Sequence, residues 1–503
     1  MKKISKILLS FLVIFLFAFT FACKDDEPDA PIEKPDEKTD VVDNNGNQDN
    51  HGSQDNQGNN DDHGNNGEQG NQDGQDNQDD QGNQGNDPEP IVVPRFKEDY
   101  TPKLFTFVSY TEEEITDGVI LYTYTITKAN GDTTIIREVE VDLEKATIKA
   151  GTNGNQSIGF NYTKTTPYAA GENYSNITGK DVYATLNADF FGSTCVNAFV
   201  KDGFIVKASH NDNDNYDYLN TSSDVPASAP MLFGISGTKA QVAPIINYDG
   251  DITSPQVKKT LIRASLNYTI TAGIRSFDTS NSFKLINTTL YLNPNDMYVI
   301  VDLKNGASDV EVLEINMADK KMTLEPLTGK KAYLYCSASN EDAISFLTRI
   351  AVGQKLQFSV KSPDGLWDGY DTILGCRQAL VIDGKIADTV KLENTNGAQS
   401  GDVPRSAVGV NTSGKVCIYA VESMYYGRKN NDGDPHGCDL NVLAEFMMYN
   451  NVENGANFDG GGSTQLICKL NGADTVVVRS SDTGSADLTS TRQVMNVIMV
   501  VEK

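Results

Sequence analysis

Residues able to do chemistry are concentrated in one stretch, Asn457-Phe458-Asp459-Gly460-Gly461-Gly462-Ser463-Thr464, a carboxylate followed by three glycines and two hydroxyls between two apolar runs. Three consecutive glycines lose more conformational entropy on folding than any other triplet and pack no side chain. A fold keeps them where the backbone must take positive φ or approach a neighbour closely. Asp459 is then expected at a strand tip. The N–H groups of Gly460, Gly461, Gly462 and Ser463 are expected to form an anion-binding nest beside it, with the Ser463 and Thr464 hydroxyls as further donors. That grouping suits a phosphorylated or sugar substrate. No Lys follows the glycines, which excludes a Walker loop.

Strands dominate the elements that must position this corner. Alternating β-branched and aromatic residues predict them at 103–110, 119–127, 134–143, 182–186, 297–301, 356–360, 379–382, 416–421, 465–470 and 494–501. Two helices stand out: Asp439 caps one with Leu440, Leu443, Phe446 and Met447 on a single face, and Asn340 caps another carrying Ala343, Ile344, Leu347 and Ile350. The pairs Asn130-Gly131, Asp202-Gly203, Asp383-Gly384 and Ser413-Gly414 read as hairpin turns. The expected class is α+β, a strand-rich mixed sheet with a few packed helices. About 400 residues suffice either for two or three domains or for one large domain.

The N-terminus has Lys2, Lys3 and Lys6, then an apolar run ending at Ala22, and reads as a signal peptide over 1–22. Phe21-Ala22-Cys23 is similar to a bacterial lipobox, with Thr20 where that pattern usually has Leu, so Cys23 is the expected lipidation site. Residues 23–94 turn abruptly to Asp, Asn, Gln and Gly and read as a disordered tether. With 20 acidic side chains against 3 basic ones over 24–94, the tether carries most of the chain's net charge of −27. It would reach roughly 45–50 Å as a flexible chain. The expected domain is 95–503, with a β-rich N-terminal part at about 95–180, extracytoplasmic and lipid-anchored to the cell membrane. Its acidic balance argues against nucleic acid as a partner, because backbone phosphates require a positive field. Oligomeric state is not readable. Cys195, Cys336, Cys376, Cys417, Cys438 and Cys468 match no zinc spacing, and either disulfides or buried thiols are compatible with them.

Five segments in order resemble the phosphodiester glycosidase family over roughly 110–500. They are Leu186-Asn187-Ala188-Asp189-Phe190-Phe191; Leu374-Gly375-Cys376-Arg377-Gln378-Ala379-Leu380 followed by Asp383-Gly384-Lys385; Pro404-Arg405-Ser406-Ala407-Val408-Gly409; 437–446 with its Leu-Ala-Glu; and the Asp459 stretch itself. The chain departs from the family at Glu422-Ser423, where Asp-Gly is common, at Asp189, which replaces a small residue, and at Cys376-Arg377, which replace less polar residues. The resemblance implies a hydrolase acting on a sugar-1-phosphodiester, of N-acetylglucosamine type, in a glycan or envelope polymer. The alternative is a non-catalytic glycan-binding surface lipoprotein of the same fold.

The residue types suit a C1–O–P linkage. Phosphate departs as a stable anion, so strong general-acid help matters less than in ordinary glycoside hydrolysis. Arg405 is the expected phosphate clamp, because guanidinium presents a planar fork of donors, with Arg377 assisting and Asn187 and the glycine corner binding substrate. Asp459 is expected as base toward water or as nucleophile at C1, and Glu422 or Asp189 as the second carboxylate. This chemistry requires no cofactor and is compatible with a divalent cation. His436 reads as a surface loop residue, Trp367 as core, and 211–217 as an acidic surface loop.

Overall fold

The computed structural model describes residues 95–153, 164–192, 195–207, 231–244, 249–253, 263–264, 282–286, 289–304, 306–361, 365–388, 390, 401–423 and 435–503. The leader, Cys23, the tether and 211–217 lie outside them. The described part is α+β and strand-rich, as expected from its sequence.

An eight-stranded antiparallel sheet runs in the order Phe105–Thr116, Val119–Lys128, Thr133–Val141, Val416–Val421, Arg405–Asn411, Val452–Asn457, Ala379–Ile382, Lys385–Ile386. The first three strands follow one another along the chain; the rest are recruited from beyond residue 378. Helix α3 (Leu440–Tyr449) covers one face. Asp439 caps it by accepting from Val442 N at 2.9 Å, and Phe446 packs edge-on against Tyr124 and Tyr419 at 5.0 and 6.3 Å between ring centroids. A five-stranded antiparallel sheet covers the other face, in the order Ala473–Val478, Leu466–Leu470, Val182–Asn187, Val497–Glu502, Ala146–Gly151.

Strand alternation gives each residue of this second sheet one of two partners. Ala184, Leu186, Ile498 and Val500 join the core beneath the large sheet, while Val182, Val497, Met499 and Val501 meet Ala170 of helix α1 (Pro167–Thr178). The result is four layers, helix, sheet, sheet, helix. Helix α1 was not expected, because its sequence scatters Tyr168, Tyr174 and Ile177 among small and polar residues. Its boundary signals are nonetheless regular: Thr166 accepts from Ala169 N at 3.1 Å, Pro167 opens the first turn, and Gly179 ends it at φ 74°.

A second core lies between a seven-stranded sheet, which includes Met297–Asp302, Val310–Met317, Lys331–Cys336 and Lys355–Lys361 with helix α2 (Glu341–Leu347), and one face of a smaller sheet. That smaller sheet has the order Phe204–Lys207, Phe199–Lys201, Thr372–Gly375, Met231–Ser236, Lys239–Pro244, and its other face (Phe199, Phe233, Leu374) belongs to the first core. Trp367 fills the second core completely buried, as expected, and Asn340 caps α2 by accepting from Ala343 N at 3.0 Å. A Cβ at Gly234 would lie 2.6 Å from the Trp367 ring and 2.9 Å from that of Tyr370. Gly234→Ala is therefore expected to cost about 1–3 kcal/mol by overpacking; unchanged urea unfolding would show that the indole gives way freely.

The hairpin turns form as predicted, with positive φ at Asp202, Gly203, Asp383 and Gly384. All six cysteines of the described part are buried free thiols.

Candidate active site

The candidate residues come together because several strands of both sheets begin or end on one level. In the large sheet, Arg405 opens its strand opposite Val421, which closes the neighbouring one, and Asn457 closes the strand on the other side. Arg377 N donates to Asn457 O at 3.0 Å, and Gln378 N to Asn457 Oδ1 at 2.8 Å. In the second sheet, Asn187 ends its strand opposite Val497 and beside Leu466. Asn187 then joins the two layers: its Nδ2 donates to Asp459 O at 2.6 Å, and its Oδ1 accepts from Ser406 Oγ at 2.8 Å and from Gln465 N at 3.3 Å. Ser406 Oγ is also 3.0 Å from Thr464 Oγ1.

Each glycine of the corner has its own reason. Gly461 takes φ +59°, the left-handed region that favours glycine. At Gly460 a Cβ would lie 3.0 Å from Pro404 O, and at Gly462 it would land on the Asp482 carboxylate. Three of the four N–H groups expected in the anion nest, those of Gly460, Gly461 and Ser463, are already engaged. Gly461 N donates to Pro404 O at 2.8 Å, Ser463 N closes a 3₁₀ turn on Gly460 O, and Gly460 N donates to the carboxylate of Asp459. The turn winds its donors inward, so the corner holds its own acid in place of a foreign anion.

Asp459 is partly buried, and its pKa is raised from 3.8 to about 6. Burial is the cause, opposed by the Ser463 hydroxyl, the charge of Arg492, the Gly460 N–H and the charge of Arg377. The two arginines are matched by two aromatic rings: the Arg377 guanidinium lies 5.2 Å from the Phe190 centroid, and that of Arg492 5.9 Å from Phe191. Lys164 Nζ is 4.9 Å from the same Phe191 ring. Arg492 also pairs with Asp482, the carboxylate seated against Gly462. The centre is thus one carboxylate of raised pKa, a second carboxylate at the glycine corner, two guanidinium groups and two half-buried rings.

The other expected residues are nearby but differently engaged. Arg405 points toward the α3 layer, where Nε donates to Cys438 O at 2.9 Å and Nη2 to Gly401 O at 3.1 Å. Adjacent strand residues face opposite ways, so it is Ser406, not Arg405, that faces the second sheet. Asp189 is buried and accepts from Asn197 Nδ2 at 2.7 Å and Asn197 N at 3.0 Å, the arrangement of a hydrogen-bonded strand-end residue. Asn187 is wholly buried and serves as the tie between layers. Glu422, just past Val421, is 3.5 Å from Arg137, and burial raises its pKa against the charges of Arg137 and Arg479. His436 lies beside Asp132, its Nδ1 3.8 Å from the carboxylate.

Sequence reasoning missed Arg492, Asp482 and Ser406. Strand alternation through Ser406 was the one available signal; 479–496 has no periodicity from which to place Asp482 or Arg492. Among the described residues one group of three metal-ligand types is close enough to share an ion, Glu138, Glu140 and Cys417. Arg95 already pairs there with both carboxylates at 2.9 Å, on the α3 side of the large sheet.

Residues 326–501 match the family model for phosphodiester glycosidase, so this part of the chain carries a domain of that family. The matched segment contains Arg377, Arg405, Glu422, Asp459, Asp482 and Arg492. A search of curated proteins returns no match. Among solved structures, a hypothetical protein from Synechocystis aligns at 14% identity and TM-score 0.47 over 79% of this chain, which spans 64% of that protein's length. A Burkholderia pseudomallei protein aligns at 14% identity and TM-score 0.42, over 74% of each chain. The catalytic domain of zebrafish N-acetylglucosamine-1-phosphodiester alpha-N-acetylglucosaminidase, auto-inhibited by its pro-peptide, aligns at 12% identity and TM-score 0.38, over 80% of this chain and 89% of that one.

Proposed function

We propose that the protein is an extracytoplasmic hydrolase that cleaves a sugar-1-phosphodiester, of N-acetylglucosamine type, in a glycan or envelope polymer, and that it is held at the membrane through lipidated Cys23. The observation that carries this reading is the partly buried Asp459 carboxylate flanked by Arg377 and Arg492 within the family-matched segment.

Arg377 and Arg492 would hold the phosphate, because each presents a charged planar fork beside the acid. They thereby take the clamp role expected of Arg405, which instead braces the strand end on which the corner rests. Phe190 and Phe191 offer ring faces to the sugar. Asp459, with its pKa near neutral, would accept a proton from water or attack C1, while the departing phosphate leaves as an anion without protonation. Asp482 and Glu422 are further carboxylates at this end of the sheets. The proposed reaction needs no cofactor.

The test is release of N-acetylglucosamine from UDP-N-acetylglucosamine by the full chain. Arg377→Ala and Arg492→Ala are each expected to lower kcat/KM by roughly 10- to 100-fold, the loss of about 1.5–3 kcal/mol for a hydrogen bond to a charged group. Release that persists undiminished in both variants would overturn the clamp. Binding without turnover in the wild type would leave a glycan-binding protein in place of an enzyme.

A further inference from the structure

We propose that a second site, distinct from Asp459, binds an anionic saccharide in a cleft of about 450 Å³ between helix α1 and the turn that follows Met297–Asp302. Small-ligand sites commonly occupy about 300–1,000 Å³, so the cleft has room for one or two sugar rings. It exists because α1 sits very close to its sheet: a Cβ at Gly151 would lie 2.6 Å from Val497 and 3.2 Å from Ala170, and one at Gly171 would lie 3.2 Å from Thr185. The helix is thereby held down over the strands, and its flank and the neighbouring hairpin form two walls.

The lining is graded in a way that suits a charged sugar. Half-buried Tyr174 and Ile177 supply an apolar wall, a surface for the C–H face of a pyranose, above the buried Phe204 and Met499. Asn173 and Thr178 line the cleft from α1, the Thr178 hydroxyl donating to Tyr174 O at 2.8 Å and accepting from Lys180 N at 3.2 Å. Three lysines, Lys201, Lys304 and Lys330, line the cleft against a single acid, Asp202. Lys201 is paired with that acid at 2.8 Å, which leaves Lys304 and Lys330 as the excess positive charge. Lys304 is largely exposed, and its contact with Asp302 is long, 3.6 Å, an ion pair of little strength. The whole chain is strongly acidic, so a cationic cleft is a local inversion of its field and would draw an anion to this place.

The cleft is separate from the acid at the glycine corner. Gly151, on its lining, pairs with Val497, whose other neighbour is Asn187, so the two places lie about two strand spacings, roughly 10 Å, apart. The inference does not depend on the proposed reaction, since it concerns binding alone.

Isothermal titration of the full chain with D-glucuronate tests it, with D-glucose as the neutral control. Lys304→Glu combined with Lys330→Glu is expected to weaken glucuronate binding at least tenfold without changing the thermal midpoint. Arg377→Ala combined with Arg492→Ala is expected to leave it unchanged, and glucose is expected to bind at least tenfold more weakly. Three results would each overturn the proposal: no glucuronate binding by the wild type, equal affinity in the lysine variant, or loss of binding in the arginine variant.

Discussion

Asp459→Asn is expected to lower turnover of a sugar-1-phosphodiester by about 10³-fold or more while making the folded protein more stable at neutral pH. General acid–base steps commonly contribute 10²–10⁴-fold, and an amide can neither accept the proton nor attack C1. The stability gain follows from the same burial that tunes the acid. In the native protein the carboxyl has a pKa of about 6, against 3.8 for the free group, so the folded state binds the proton more tightly than the unfolded chain. The favourable contribution is therefore complete below about pH 4 and is lost as pH rises through about 6. Above that, the ionised form costs up to about 3 kcal/mol, and partial exposure reduces this to about 1–2 kcal/mol. Asn carries no charge to bury, so its urea midpoint should exceed that of the wild type at pH 8, and the two should converge near pH 4. Activity should move in the opposite sense: kcat/KM of the wild type should fall tenfold per pH unit below about 6, as the base takes up its proton. A variant that keeps activity within tenfold, or a wild-type profile flat between pH 4.5 and 7, would remove Asp459 from the reaction. No change in stability at pH 8 would instead mean that Arg377 and Arg492 compensate the charge fully.

What could be read in advance follows from how local each signal was. The carboxylate and its glycines were legible because a triplet without side chains has few structural uses, and the corner bears this out with one positive φ and two close approaches. Asp439 and Asn340 were legible as caps because a short acceptor before an apolar stripe satisfies donors only two or three residues away. The facing of the Arg405–Asn411 strand depended on tertiary contacts. The expectation placed a guanidinium at the substrate, whereas register gives it to the helix layer and gives Ser406 to the site. Asp482 and Arg492 were illegible because they belong to an irregular stretch with no period and are brought to the glycine corner only by the return of the chain into Val497–Glu502. Helix α1 escaped because its stability comes from close packing through Gly151 and Gly171 and not from an apolar stripe.

Arg95→Ala is expected to destabilise the fold by about 3–5 kcal/mol, although Arg95 stands at the boundary where the tether composition ends. Its guanidinium bridges Glu138 and Glu140 at 2.9 Å each, donates to Asn450 Oδ1 at 3.1 Å, and lies 3.7 Å from the Tyr122 ring centroid. Glu138 is completely buried beneath α3, where Tyr124 and Asn450 also donate to it at 2.8 Å each. Taking away the cation leaves that carboxylate enclosed with neutral donors only, and removal of one partner from a buried pair commonly costs this much. Lys415 does not replace it, since its 2.9 Å contact is with Glu140. The consequence reaches the site through the sheet: Glu138 pairs with Tyr419 on the strand that runs to Val421, opposite Arg405. Urea unfolding of Arg95→Ala beside Arg95→Met combined with Glu138→Gln separates the charge from the packing. The single variant should lose the full amount, and the double variant should recover part of it, because it buries no unpaired charge. If the single variant unfolds within 1 kcal/mol of the wild type, the chain entry at Arg95 is an appendage, and the large sheet holds its register without it.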